Sequence, residues 1–239
     1  ARGPQPLAEF ERLFTEHHAP LVNAIEQGLD EPRARAAREE FRHTFARSYA
    51  EAFPTFVVTG KRPKLVLDAP ELAARAARLH GARATQLVMV DGLRWDLGVL
   101  LRETLLVGLG PRVTLAEESF LLAALPSNTP RQLAGLARGI DGLRSPTVDD
   151  GSGEGEALRG RTAEVVRRVR VGGRDMFKLD VVEARLREAD GHAAALFPEI
   201  VRRAAAAITR HAATMPPRTL LYVFGDHGFT LDASGAAYQ

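Results

Sequence analysis

Cysteine is missing from all 239 residues, which excludes disulfides and thiolate metal ligands. Lysine is scarce: Lys61, Lys64 and Lys178 stand in a basic complement that is otherwise arginine. No run reaches the length of consecutive apolar residues that a bilayer requires, so no membrane contact is expected. The opening Ala1–Pro6 has no apolar h-region and does not read as a signal peptide. Together these absences give a cytoplasmic location as the expectation. A strong charge of either sign is also lacking. Lys and Arg number 32 against 30 Asp and Glu, and a net charge of +2 does not by itself argue for nucleic-acid binding. The arginine excess, beside abundant alanine, reads first as codon composition, although a planar guanidinium would suit a phosphate-bearing substrate.

What is present is an ordinary globular composition, 45% hydrophobic and 26% charged. The length suffices for one large core, or a core with a small appendage. Residues 1–60 read as a helical lead-in or packing subdomain. Leu7, Phe10, Leu13 and Phe14 recur at helical spacing, and Phe41, Phe45, Tyr49 and Phe53 follow at four-residue steps until Pro54, where the helix is expected to end. From residue 61 to 239 the chain alternates strand and helix. Strands are expected at Leu87–Val90, Val113–Leu115, Phe120–Leu125, Met176–Val182 and Leu220–Phe224, and at 164–171 a strand or short helix. Helices are expected over 70–80, 94–106, 131–138 and 192–215, and a Gly-, Ser- and acid-rich loop over 145–160. This alternation predicts an α/β fold with a mostly parallel central sheet flanked by helices.

Four of the apolar runs end in residues that carry chemistry. Leu87–Val90 leads to Asp91, Phe120–Leu125 to Ser127 and Thr129, Phe177–Leu179 to Asp180, and Leu220–Phe224 to Asp226 and His227 between two glycines. In an open parallel sheet, ligands gather outside the carboxyl ends of the strands. Aspartates, a histidine and a hydroxyl converging there have the composition of a metal-assisted hydrolase site, because carboxylate and imidazole are ordinary ligands of zinc, manganese or magnesium.

Val90-Asp91-Gly92-Leu93-Arg94-Trp95-Asp96, then Pro126-Ser127-Asn128-Thr129-Pro130, then Asp226-His227-Gly228-Phe229 resemble the ordered motifs of PglZ domains, within the alkaline-phosphatase-like superfamily. The resemblance covers roughly residues 85–239 and implies an alkaline-phosphatase-like fold. It implies Asp91, Asp226 and His227 as ligands of one ion and Thr129 as both ligand and nucleophile. It also implies a second ion, for which the middle region offers Asp180, Glu183, Glu188, Asp190 and His192. Glu188 has the carboxylate-to-histidine spacing of four, but Asp180, which follows an apolar run, is preferred as partner of His192, the one histidine of that region. One or two divalent ions per chain follow, zinc first, with manganese and magnesium as alternatives. The family pattern runs on past the last residue here, so the resemblance implies either C-terminal truncation or an incomplete second site.

The implied activity is a metal-dependent phosphodiesterase on nucleotide or oligonucleotide substrates, passing through a phospho-threonine. The implied partners are nucleic acid and the proteins of phage-defence or signalling systems. Arg94 reads equally as a bidentate phosphate holder and as a partner of Asp96. The alternative is a catalytically impaired signalling or defence scaffold that keeps the fold. A sulfatase or phosphomonoesterase of the same superfamily ranks below both; a sulfatase would use a cysteine or serine where the favoured residue is a threonine.

Overall fold

The computed structural model describes residues 7–59, 62–144, 158–189, 192–231 and 237–238. It divides into two compact units, Ala1–Pro63 and Lys64–Gln239. The glycine-rich 145–160 stretch falls mostly outside the described residues.

The first unit is helical: α1 (Leu7–Leu13), a π-helical turn (Phe14–His18), α2 (Ala19–Glu26) and α3 (Pro32–Thr59). The four-residue aromatic spacing builds a ladder along α3. Phe10 stacks on Phe41 and Phe45, and Phe45 stacks on Tyr49. The helix does not stop at Pro54 as its sequence predicts. Proline forfeits one helical hydrogen bond, but Phe53 and Phe56 are buried on either side of it and their packing favours continuation. His18, facing Phe41 at 4.0 Å, belongs to this ladder.

The second unit is α/β. In chain order it comprises α4 (Ala69–Leu79), β1 (Ala84–Val90), α5 (Trp95–Leu109), α6 (Thr129–Arg138), α7 (Ile140–Arg144), β2 (Arg167–Val171), β3 (Arg174–Leu179), α8 (Val181–Arg187), α9 (Phe197–Ala212) and β4 (Thr219–Gly225). A two-stranded ribbon follows, β5 (Thr230–Leu231) with β6 (Ala237–Tyr238). The main sheet has the order β2-β3-β1-β4; β3, β1 and β4 are parallel, and β2 is antiparallel to β3.

β1 is the hub of this sheet. Its residues alternate between two cores, as the period of a strand buried on both faces requires. Val88 and Val90 join one core with Leu97, Leu101, Ile200 and Ile208 from α5 and α9. Leu87 and Met89 join the other with Ala69, Ala73 and Leu136 from α4 and α6. The buried side of α9 repeats at helical steps, Phe197, Ile200, Val201, Ala204 and Ile208. Glycines at positive φ close α5 (Gly110, 66°) and α6 (Gly139, 62°).

Three expected elements turn out otherwise. Val113–Leu115 is coil. Phe120–Leu125 joins no strand ladder; it makes one isolated bridge, Leu122 to Leu65. Its Ala124 backbone is satisfied by a side chain instead, donating to Gln132 Oε1 at 2.8 Å and accepting from Gln132 Nε2 at 2.9 Å. The helix expected from His192 starts as a 3₁₀ turn (Ala193–Leu196), and α9 proper begins at Phe197 beside Pro198.

Candidate metal centre

Register positions the acids. Val90 of β1 pairs with Leu179 on one side and with Gly225 on the other. The next residue of each strand is an aspartate, so Asp180, Asp91 and Asp226 end three adjacent parallel strands side by side. Gly225 is required at its place, since a Cβ there would fall 2.3 Å from the Leu93 carbonyl oxygen. Gly92 turns the chain away from β1 at a φ of 73°.

Thr129 arrives from a different kind of element. It opens α6, whose N-cap is Asn128 with Oδ1 accepting from the Arg131 amide at 3.0 Å. Thr129 therefore stands at a helix start, where the sequence suggests a strand tip. Its side chain is buried, whereas the neighbouring hydroxyl, Ser127, is exposed.

Asp91, Thr129, Asp226 and His227 meet. Thr129 Oγ1 lies 2.8 Å from Asp226 Oδ2, 3.1 Å from Asp91 Oδ1 and 3.1 Å from His227 Nε2. His227 Nε2 is 3.4 Å from Asp91 Oδ1 and 3.5 Å from Asp226 Oδ2. The outward-facing atoms are held elsewhere. Asp226 Oδ1 accepts from the amides of Gly92 at 3.0 Å and His227 at 2.9 Å. His227 Nδ1 lies 3.0 Å from the Gly228 carbonyl, the contact that assigns its proton to Nδ1 and leaves Nε2 as the ligand atom. Asp91 Oδ2 accepts from Lys178 Nζ at 2.6 Å. One atom of each residue thus faces a common centre.

The set suits a metal ion. The three Asp and His ligand atoms lie within 4.8 Å of one another, and among the described residues they form the one such group. Four ligands around a tetrahedral ion at about 2.0 Å would stand about 3.3 Å apart. The spacings made by Thr129 and His227, 2.8 to 3.5 Å, bracket that value.

No family model, curated protein or solved structure matches the chain. The chemistry open to this centre has therefore to be read from its own atoms.

Asp180 and His192, the candidates for a second ion, are not brought together in such a group. His192 is exposed, with a φ of 54° ahead of the 3₁₀ turn. Asp180 is buried and neutralised by Lys178 Nζ, 2.6 Å from its Oδ1, and by Arg167 Nε, 3.3 Å from its Oδ2. Its Oδ1 has no directed hydrogen bond, so the Lys178 contact is ionic in character. In this structure Arg94 is paired with Asp96. It grips Asp96 bidentately at 2.7 and 2.8 Å, with its guanidinium carbon 4.4 Å from the centre of the Phe229 ring. Trp95 is half-buried, edge-on to Phe120.

Two further residues reach the centre. Glu183, on α8, places Oε2 3.8 Å from His227 Nε2. Lys178, wholly buried, bridges Asp91 and Asp180. The signal for Lys178 lies in the sequence: residues two apart on a strand share a face, and this lysine sits two before Asp180 within an apolar run of an arginine-rich chain.

The electrostatics follow from burial and crowding. Burial pushes the Asp226 carboxyl up, and the neighbouring Asp91 charge helps raise it to about 6. Burial also raises Glu183, with its hydrogen bond to Asp91 and the Asp91 charge, to about 7. Burial acts on Asp91 the same way, but hydrogen bonds with His227 and Glu183 and the Lys178 charge outweigh it and hold Asp91 well below the carboxylate range. Burial pulls His227 down, but its hydrogen bond to Asp91 and the Asp226 charge reverse this and raise it to about 9. Burial likewise opposes the Lys178 ammonium, and Asp91 and Asp180 together hold it above its ordinary value.

A pH dependence follows. Asp226 and Glu183 have folded-state values above their ordinary 3.8 and 4.5, so their contribution to stability is full below those values and is lost as pH rises through about 6 and 7. An ion needs Asp226 ionised and Nε2 free, so binding releases protons. The rise in melting temperature on adding manganese is expected to grow between about pH 5 and about pH 8. Thermal melts with manganese or with chelator across that range check it; a pH-independent difference contradicts it.

Proposed function

We propose that the chain is a metal-dependent phosphoesterase acting on phosphodiesters of nucleotide or oligonucleotide type, with Thr129 as nucleophile and an alkaline-phosphatase-like sheet as scaffold. The observation that carries this reading is the Thr129 hydroxyl, buried within 3.1 Å of Asp91, Asp226 and His227 together. A hydroxyl placed among two carboxylates and an imidazole is positioned to lose its proton. A divalent ion, zinc first, would be held by Asp91 Oδ1, Thr129 Oγ1, Asp226 Oδ2 and His227 Nε2, and when bound it supplies the positive charge that lowers the hydroxyl pKa and offsets phosphoryl oxygens.

The chain's own residues account for the remaining steps. Without an ion the Thr129 hydroxyl donates to Asp226 Oδ2 at 2.8 Å; with Asp226 Oδ2 serving as a ligand, the hydroxyl proton leaves to solvent water. The Thr129 oxygen then attacks phosphorus in line as the bond to the leaving oxygen breaks, and the leaving oxygen takes up a proton. Water subsequently attacks the phospho-threonine, the Thr129–phosphorus bond breaks, and the hydroxyl is restored. Lys178 holds Asp91, and the Gly92 and His227 amides hold Asp226, in the orientation these steps use.

Full-length protein incubated with bis-p-nitrophenyl phosphate is expected to release nitrophenol with zinc or manganese, and to stop on adding EDTA. Absence of turnover with zinc, manganese and magnesium alike, together with intact metal binding, would favour the second reading, a non-catalytic module. The commitment of Asp180 to Lys178 and Arg167 gives that reading its support.

A further inference from the structure

Asp180, Asp91 and Asp226 stand on neighbouring strands at one sheet edge, each 1% exposed or less. Adjacent strands are about 4.8 Å apart, so three buried carboxylates in a row are held at close quarters. Such a row keeps its charge only if cations lie between its members. Between Asp180 and Asp91 the cation belongs to the chain: Lys178 Nζ lies 2.6 Å from each, wholly buried. Between Asp91 and Asp226 lie Thr129 and His227, the other members of the candidate ion site. Asp91 divides its oxygens accordingly, Oδ2 towards the ammonium and Oδ1 towards Thr129 and His227. That is the arrangement of a carboxylate bridging two cations. Two-ion hydrolase centres have two cations about 3.5–4 Å apart, one for the attacking and one for the leaving oxygen.

We propose that Lys178 is the built-in second cation of this centre, so that the chain takes one divalent ion, between Asp91 and Asp226, where a two-ion centre would take two. The inference rests on the metal reading given above and deepens it. A lysine suits the role because its ammonium is a compact point charge on a flexible stem, where a guanidinium would need a planar fork of partners. It also explains why Asp180 and His192 do not form a second ion site: the charge that site would supply is already covalently attached to β3.

Counting ions tests this. Full-length protein is stripped with EDTA, titrated with zinc or manganese, gel-filtered, and measured by elemental mass spectrometry and native mass spectrometry. Wild type is expected to carry one ion. Lys178→Ala, which leaves two carboxylates facing each other, is expected to carry two. Asp180→Asn, which removes an acid from the ammonium side only, is expected to keep one. Two ions on wild type, one on Lys178→Ala, or none on Asp180→Asn would overturn the proposal. Should Lys178→Ala not fold, the wild-type and Asp180→Asn counts decide it. No ion on wild type would overturn the metal reading together with this inference, whereas two would overturn the inference alone.

Discussion

Thr129→Ala is expected to lower phosphodiester turnover by about 10³-fold or more, the scale on which removal of a nucleophile acts, while an ion still binds. The two effects separate because Thr129 contributes a neutral oxygen to the centre, whereas Asp91, Asp226 and His227 contribute the charge and the imidazole. The helix should survive the change: the Asn128 cap on Arg131 and the Gln132 bonds to Ala124 involve other residues. Thr129→Ser keeps the hydroxyl and is expected to retain most of the turnover. Steady-state kinetics with calorimetric metal titration on the three proteins distinguish the cases. Full activity in Thr129→Ala would remove Thr129 from the chemistry, and loss of metal affinity with unchanged turnover per bound ion would leave it a ligand only.

The second large effect concerns stability. Lys178→Met, measured by urea unfolding with chelator present, is expected to cost about 3–5 kcal/mol, as removal of one partner from a buried ion pair typically does. Against a total of about 5–15 kcal/mol this approaches the margin of folding. The cause is the uncompensated pair left behind. Asp91 and Asp180 are both buried, and Arg167 lies 3.3 Å from Asp180. Methionine fills much of the same volume, so the loss would report charge rather than a cavity. A cost below about 1 kcal/mol, the level of a surface pair, would mean that the acids are neutralised by protonation and not by Lys178.

Much of the centre was legible in the sequence because strand ends are local signals. Asp91 and Asp226 each follow an apolar run and stand beside a glycine, and the parallel pairing of β1 with β4 then makes them neighbours. The α/β class was legible for the same reason, from runs of strand length separated by helical spacing. What failed depended on side-chain partners and packing that periodicity does not show. Phe120–Leu125 has a strand's composition, but the Gln132 side chain takes the Ala124 backbone bonds that a neighbouring strand would otherwise make. Pro54 reads as a stop, yet α3 runs through it with Phe53 and Phe56 buried on either side. Lys178 is legible only in part: its place two residues before Asp180 is a local signal, but its other carboxylate, Asp91, comes from a different strand. Asp180 looked like a free ligand because periodicity does not show that pairing. The start of α5 sets Asp96 within a bidentate grip of Arg94.

A crystal structure of the full chain soaked in manganese or zinc, with anomalous scattering recorded at the metal edge, tests the central claim most directly. One anomalous peak is predicted, in coordination contact with Asp91 Oδ1, Asp226 Oδ2 and His227 Nε2 and adjacent to Thr129 Oγ1, with Lys178 Nζ still between Asp91 and Asp180. Absence of a peak among those atoms at saturating metal, or a peak elsewhere with the Thr129 cluster unchanged, would contradict it.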